Sequence, residues 1–272
     1  MSLVINTNIA SLNAQRSLVK SGAELSTAME RLSSGKKINS AADDAAGFAI
    51  AERMTAQVRG LNMAAKNAND GLSMLATIEN ATNDVTDMLH RMRELAVQAA
   101  NDTNSATDRG YIQTEVTALI AEIDRVSTDT KYNGSVVLDG SFATKKLQVG
   151  TEASQTITFS VADVDTAALS VAAVDVSTQA GAGAALTSIS AAIETVAGQR
   201  AGYGALQNRL EYTVSNLMNV SEFTQAARSR IEDADFAAES ARLSKAQVLQ
   251  QTGTAMLAQA NASQQLALSL FR

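Results

Sequence analysis

The dominant pattern along the chain is a seven-residue spacing of small and apolar side chains. Its members are Met54, Leu61, Ala68, Leu75, Thr82, Leu89 and Ala96. The companion positions between them are Val58, Ala65 and Leu72. This spacing predicts a long amphipathic helix that packs against other helices, as in a coiled coil or a bundle.

Two further helices are predicted after this one. The first follows a polar connection, and the second follows a central insert. The connection is residues 101–110, NDTNSATDRG, whose polar and glycine content is typical of a link between helices. The next helix carries apolar residues at alternating four- and three-residue steps: Ile112, Val116, Leu119, Ile123 and Val126. A later helix repeats the seven-residue spacing at Ile189, Val196, Tyr203, Leu210 and Leu217.

Between these helices the period changes to two. The segments KKLQVG and SQTITFSVADVD alternate apolar with polar residues and are rich in β-branched side chains, which predicts short strands. The pairs Asn133-Gly134 and Asp139-Gly140 have the chemistry of tight turns. The sequence therefore predicts a small β insert over residues 131–178, closed by the small-residue stretch TQAGAGAA.

Both ends of the sequence are free of charge over residues 1–15 and 246–271. Each end nevertheless carries an apolar stripe, formed by Ile5, Ile9, Leu12, Leu249, Met256, Leu266 and Leu270. Because isolated helices without a buried face are marginally stable, we expect the two ends to pair and then to pack against copies of the same chain. Until copies are present, the ends are expected to be largely unfolded.

The predicted fold is mainly α, with long coiled-coil-like helices from both termini paired in a rod and a small β-hairpin insert in the middle.

The composition of the chain excludes several classes of function. With 28 Asp and Glu against 22 Lys and Arg, the chain lacks the basic surface of a nucleic-acid-binding protein. It contains no Cys, which excludes disulfides, thiol catalysis and Cys-based metal sites. No membrane span and no cleavable signal peptide are predicted from the apolar runs.

Candidate catalytic or metal-ligating groups are few. His90 is the only histidine and has no second ligand type nearby, so we interpret it as a surface or interfacial side chain. Asp43 and Asp44, and the group Glu232, Asp233 and Asp235, lie where helical segments begin or change, so we interpret them as helix-capping groups rather than acid-base or cation sites. No catalytic residue, metal or cofactor is expected.

Several blocks of the sequence together resemble bacterial flagellin. They occur in the order of that family and cover nearly all of the chain outside its middle: INTNIASLNAQRSL, MERLSSGKKINSAADDAAGFAIAERM, NANDGLSMLATIENA, RMRELAVQAANDTNS, EIDRVSTDTKYNG and SRIEDADFAAESARLSKAQVLQQTGTAMLAQAN. The resemblance implies a structural subunit that polymerises into the flagellar filament for swimming. Large outer domains, which many members carry in the middle, are not expected here.

The resemblance also implies an organisation and a set of partners. The expected inner filament-core domain comprises residues 1–42 and 232–272. The expected rod domain comprises a helical arm at 43–130, the β insert at 131–182 and a second arm at 183–231. Export through the flagellum's own type III channel, without a cleaved signal peptide, would place the protein in the extracellular filament. Expected partners are the chain itself, an export chaperone on the C-terminal region, and the filament cap and hook-filament junction proteins.

A further implied partner is the host Toll-like receptor 5. The segment RMRELAVQAAN resembles the part of flagellin that this receptor binds. Position by position, Arg91, Leu95 and Glu115 match the family's contact residues, and Gln98 is a weaker match. We expect Arg91, Leu95 and Gln98 to lie on a face beside the buried stripe. Alternatively, the stripe serves only subunit packing, with Leu95 buried between protofilaments.

Two other functions remain open from the sequence. A hook-filament junction protein usually resembles flagellin at its ends but diverges in the blocks quoted above. The helical signalling stalk of a chemoreceptor is also rich in alanine and poor in proline, but it would require a membrane span and no strands. The intact blocks and the β insert favour the filament subunit over both alternatives.

Overall fold

The computed structural model describes the backbone of residues 7–269 and the side chains of residues 7–263. Within that range the helices are α1 (Ile9–Ser34), α2 (Ala45–Ala99), α3 (Ala106–Asp129), α4 (Gln179–Glu232) and α5 (Phe236–Ser269). The strands are β1 (Lys131–Tyr132), β2 (Ser135–Val136), β3 (Lys145–Gln148) and β4 (Thr156–Phe159). The predicted mainly α fold with a central β-hairpin insert is confirmed.

The chain divides into two compact units. Unit 1 consists of Met1–Val58 together with Glu222–Arg272, and unit 2 consists of Arg59–Ser221. The expected inner-domain boundaries, at residues 42 and 232, both fall within unit 1, and their role as domain boundaries stays a prediction.

The core of unit 2 is built around the predicted stripe of α2. Its members from Leu61 to Ala96, including Leu75 and Leu89, are buried as predicted. Thr82 occupies one of these buried positions, and its hydroxyl is satisfied there. Its Oγ1 donates a hydrogen bond to the Ile78 carbonyl oxygen at 2.9 Å. A polar side chain can therefore substitute for an apolar one in the stripe when the helix backbone supplies the acceptor.

The other two stripes cover the α2 stripe as predicted. In α3 the residues Ile112, Val116 and Ile123 are buried, and in α4 every member of the seven-residue series is buried. Among the described helices, α4 also has a length and composition that would suit a membrane crossing. The large apolar residues of its stripe are buried within the chain. The expectation of no membrane span stays a prediction.

The connection between α2 and α3 is shorter than predicted because α3 begins at Ala106, inside the polar segment. Ser105 and Asp108 form a reciprocal capping box at that point. The hydrogen bond from the Ser105 hydroxyl lowers the pKa of the Asp108 carboxyl. At the C-terminal end of α2, the carbonyl oxygen of Ala99 accepts a hydrogen bond from the Nε of Arg109 at 2.8 Å. Side-chain caps thus let a polar sequence start a helix.

The β insert contains two antiparallel hairpins. In the first, Lys131 pairs with Val136 and Tyr132 with Ser135, around a two-residue turn at Asn133-Gly134. Both turn residues have positive φ, as the predicted Asn-Gly turn requires. In the second hairpin, β3 pairs with β4 from Lys145↔Phe159 to Gln148↔Thr156. Both predicted strand segments are therefore confirmed in part.

The predicted second strand is longer than the observed one. The alternating pattern continues to Asp165, but β4 ends at Phe159. Beyond it, Asp163 accepts a hydrogen bond from the backbone N–H of Asp165, and Asp175 accepts one from Ser177. These local bonds compete with strand pairing. The segment still contributes to the core without a partner strand, through Val161, Val164, Leu169, Val171, Val174 and Val176.

Helix α4 begins four residues earlier than the predicted boundary at residue 183. The hydroxyl of Thr178 accepts the backbone N–H of Gly181 at 3.1 Å and so starts the helix within the glycine-rich stretch. Gly181 also allows a close approach, because a Cβ atom there would lie 2.5 Å from the Asp175 carbonyl oxygen. A Cβ atom on Gly183 would meet nothing within 4 Å.

These two glycines predict opposite effects of the same substitution. Gly181→Ala should lower the free energy of unfolding of the chain by about 2 kcal/mol, because the new methyl group overlaps backbone that cannot move aside cheaply. Gly183→Ala should raise it by about 0.5 kcal/mol, because alanine has the higher helix propensity. Urea denaturation followed by circular dichroism measures both changes. Equal effects of the two substitutions would contradict the close contact at Gly181.

Candidate functional site

The paired terminal helices of unit 1 form the first candidate site. The Asn8 Nδ2 donates to the Ala260 carbonyl oxygen at 3.0 Å, near the start of α1 and the end of α5. At the other end of the pair, Arg31 contacts Glu239. The two helices are therefore antiparallel neighbours, which confirms the predicted pairing of the two ends of the sequence.

The seam between α1 and α5 is narrow and lined by small residues. Ser21 and Ala28 are the buried residues of α1 within the described range, and Ala246 is buried on α5. A Cβ atom on Gly253 would lie 3.1 Å from the Leu18 side chain, so the helices approach closely there. Such a seam buries little apolar surface for two helices of 26 and 34 residues.

The apolar side chains predicted to drive polymerisation lie outside this seam. The exposed fractions are 62% for Ile9, 54% for Leu12, 43% for Leu249 and 66% for Met256. Ile5 and Leu270 lie outside the described residues, as does the side chain of Leu266. The pairing of α1 with α5 therefore leaves the four described members of both stripes uncovered.

A buried ion cluster crosses the same seam. Glu239 is 5% exposed, and its Oε1 accepts hydrogen bonds from the Nη1 atoms of Arg31 and Arg242, at 3.2 and 3.0 Å respectively. A buried carboxylate is tolerated only when cations and donors surround it. Sequence reasoning missed this cluster, because Arg31 and Glu239 are separated by most of the chain.

The joints beside the seam are held by backbone bonds and carboxylate caps. Lys36 and Asp233 form a β-bridge, and the Lys37 N–H donates to the Glu232 carbonyl oxygen at 2.7 Å. Glu232 also forms ion pairs with Lys36 and Arg228. These contacts tie the connection after α1 to the end of α4 within unit 1.

The predicted capping function is confirmed for two of the aspartates. Asp44 accepts the backbone N–H groups of Ala46 and Gly47 at the start of α2, and Asp235 accepts those of Ala237 and Ala238 at the start of α5. Asp43 instead closes a turn. Hydrogen bonds from the Ser40 and Asn39 backbone N–H groups, in that order of size, lower the pKa of its carboxyl group. No metal-binding cluster of His, Cys, Asp and Glu occurs among the described residues.

The second candidate site is the exposed surface shared by α2 and α3 in unit 2. The Arg91 guanidinium donates to Glu115 Oε1 from Nε at 2.9 Å and from Nη2 at 2.8 Å, and its Nη1 donates to Glu94 at 3.0 Å. Gln98, which is exposed, lies about two turns beyond Arg91 along α2. The structure thus brings Arg91, Glu115 and Gln98 of the predicted receptor surface to one exposed region.

The predicted exposure of Leu95 is wrong. Leu95 is 2% exposed and belongs to the core of unit 2. The physical reason is that α2 is covered over a wide arc, so that Leu95 is buried together with Met92, Ala96 and Ala99. The exposed positions of this segment of α2 are Arg91, Arg93, Glu94, Val97 and Gln98. Leu95 can support this surface from below but does not present a side chain to a partner. His90 is exposed, in accord with its interpretation as a surface side chain.

Two family models match the chain. The model of the bacterial flagellin N-terminal helical region matches residues 5–143, and that of the bacterial flagellin C-terminal helical region matches residues 186–271. The chain is also 42% identical over 272 residues to a flagellin of Halalkalibacterium halodurans, covering 99% of this chain and 100% of that protein. The chain belongs to the bacterial flagellin family.

Other relatives agree with this assignment. The flagellar filament 33 kDa core protein of Treponema phagedenis is 41% identical over 286 residues, covering 99% of this flagellin and 100% of that protein. The crystal structure of Bacillus cereus flagellin has a TM-score of 0.51 at 32% identity and covers 56% of this chain and 88% of that one. Flagellins are structural proteins of the flagellar filament, which confirms the predicted absence of enzymatic function.

One further solved structure shares the fold alone. A putative flagellar hook-associated protein of Vibrio parahaemolyticus has a TM-score of 0.60, covers 70% of this chain and 100% of that one, and is 15% identical. The higher identity to flagellins over nearly the whole chain favours the filament subunit. The short chain without a variable outer domain also agrees with its match to the flagellin of Halalkalibacterium halodurans, which is covered in full over 272 aligned residues.

The placement of Leu95 and Glu115 predicts different costs for their removal. Leu95→Ala should lower the free energy of unfolding by about 3 kcal/mol, because it opens a cavity in the core. Glu115→Gln should lower it by less than about 1 kcal/mol, because the exposed pair with Arg91 contributes little in water. Urea denaturation of the two variants tests this contrast. A Leu95→Ala variant as stable as the native chain would contradict the burial of Leu95 in the core.

Proposed function

We propose that this flagellin polymerises with copies of itself through its terminal helices, which become fully ordered as neighbouring copies cover them. The observation that supports the proposal is the exposure of Ile9, Leu12, Leu249 and Met256 on the α1–α5 pair. Burial of one such side chain contributes roughly 2 kcal/mol. Because the stripes on both helices repeat this contribution, contact with copies offers more stabilisation than the narrow seam within one chain.

The same energetics support folding coupled to assembly. Helices without a large buried face are marginal in water, since their backbone entropy is not offset by apolar burial. In unit 2, by contrast, the stripes of α2, α3 and α4 cover one another. We therefore expect unit 2 to fold in the free subunit, whereas the terminal helices depend on neighbours.

We propose further that the chain reaches the extracellular filament through the flagellum's own type III channel, without a cleaved signal peptide. An export chaperone would cover the C-terminal region before export, and the filament cap and hook-filament junction proteins would contact the subunit at the ends of the filament. The uncovered apolar side chains of α5 support a chaperone, since exposed apolar stripes promote aggregation.

Removal of residues 249–272 should abolish polymerisation and leave unit 2 folded, because the truncation removes the C-terminal apolar stripe without touching the unit 2 core. Sedimentation and electron microscopy measure the polymer, and circular dichroism measures the remaining helix. The full-length chain, treated identically, is the control.

Hydrogen exchange provides the second half of this test. Residues 9–34 and 236–269 should exchange rapidly in dilute subunits and slowly in the polymer. A truncated chain that still forms filaments would contradict the role of the terminal helices. Terminal helices that are already protected in dilute subunits would contradict folding on assembly.

A second candidate function is recognition by Toll-like receptor 5. The observation that favours it is the exposed arrangement of Arg91, Glu115 and Gln98 on neighbouring helices of unit 2. Arginine and its carboxylate partner present both charge signs, and such exposed groups can exchange their mutual contact for contacts with a protein partner. The exposed ion pair is not needed for the core, which leaves it free for binding.

The double substitution Arg91→Ala and Gln98→Ala should weaken receptor binding to the isolated subunit by at least about tenfold, because both side chains reach the exposed surface. Arg125→Ala is the matched control, since Arg125 is an exposed arginine of α3 that also forms ion pairs, with Glu122 and Asp129. Binding of the purified receptor ectodomain is measured by surface plasmon resonance. Unchanged binding of the double variant would end this proposal.

A further inference from the structure

Unit 1 contains a groove of about 530 Å³ between α1 and α5. Its lining includes the small side chains of Ala23, Thr27 and Ala28. Its charged lining consists of four cations and two carboxylates: Lys20, Arg31, Arg242, Lys245, Glu24 and Glu239. The groove therefore carries an excess of two positive charges in a chain whose net charge is −6.

Two of the cations that line the groove, Arg31 and Arg242, share one acceptor. Arg31 and Arg242 both donate to the same oxygen of Glu239. The Nε of Arg31 is buried and has no hydrogen-bond acceptor. A buried donor without an acceptor is costly, and a guanidinium group is well matched to a carboxylate. A second carboxylate in the groove would accept hydrogen bonds from the Arg242 guanidinium, whose side chain is 64% exposed, and would offset the excess charge.

We propose that this groove receives an Asp or Glu side chain of a second copy of the chain. The inference rests on the proposed polymerisation and names a polar contact within it. The incoming carboxylate approaches Arg31 and Arg242 between Lys20 and Lys245, whose side chains line the groove. The contact fixes the register between copies, since apolar stripes alone tolerate sliding and a charge pair does not.

Two observations favour a protein occupant over a free anion. Large apolar side chains on the same two helices are exposed, among them Val19, Met29 and Val248, and a small ion would leave them uncovered. The chain itself has an excess of acidic side chains, 28 against 22 basic ones, so a second copy can supply the carboxylate. Apolar cover and a matching charge from one source are typical of protein interfaces.

The test compares two double substitutions that remove the same charge. Lys20→Gln with Lys245→Gln alters the lining of the groove, whereas Lys37→Gln with Arg53→Gln removes two exposed cations of unit 1 outside it. Elongation from filament fragments is followed by light scattering, with circular dichroism to check the fold. We expect the groove variant to elongate about tenfold more slowly than the control variant. Equal rates would overturn the inference, and failure of the unaltered chain to elongate would instead overturn the proposed polymerisation.

A zero-length carbodiimide crosslink identifies the occupant. Filaments grown from a mixture of ¹⁴N and ¹⁵N chains should contain peptides that join Lys20 or Lys245 to an Asp or Glu of the other isotope. Crosslinks within one chain only would overturn the inference. Phosphate-free protein that elongates only after addition of inorganic phosphate would assign the groove to a small anion and would equally overturn it.

Discussion

Long, slim helices require a continuous cover for their apolar stripes, and this requirement determines most of what the molecule does. In unit 2 the cover is internal, because the stripes of α2, α3 and α4 face one another and the irregular segment after β4 adds valines to the same core. In unit 1 the α1–α5 seam is made of small residues and leaves large apolar side chains exposed. One chemical pattern therefore produces a covered core in one unit and an uncovered apolar surface in the other.

Polar groups determine where these helices start, stop and pair. Asp44 and Asp235 start α2 and α5, and the Ser105–Asp108 box starts α3 inside a polar segment. The ion cluster around Glu239 gives the terminal seam a defined register that small residues alone would not provide. Without proline or cysteine in the chain, caps and ion pairs provide the local definition that rigid turns or disulfides provide elsewhere.

The periodic elements could be predicted from the sequence, since a seven-residue spacing and an Asn-Gly turn each have one dominant structural reading. Features that depend on contacts distant in sequence could not. Leu95 is four residues from Arg91, and its burial depends on how wide an arc of α2 is covered. The strand pattern after Phe159 was overridden by local aspartate bonds. The pairing of Arg31 with Glu239 joins positions that no sequence periodicity connects.

The antiparallel pairing of α1 with α5 has a consequence for fragments of the chain. Asn8 and Ala260 are 252 residues apart in the sequence, yet the two form one hydrogen bond. A prematurely terminated or clipped chain retains one helix of this pair and lacks its mate. A fragment that carries only one of the two helices therefore cannot form this seam within one molecule.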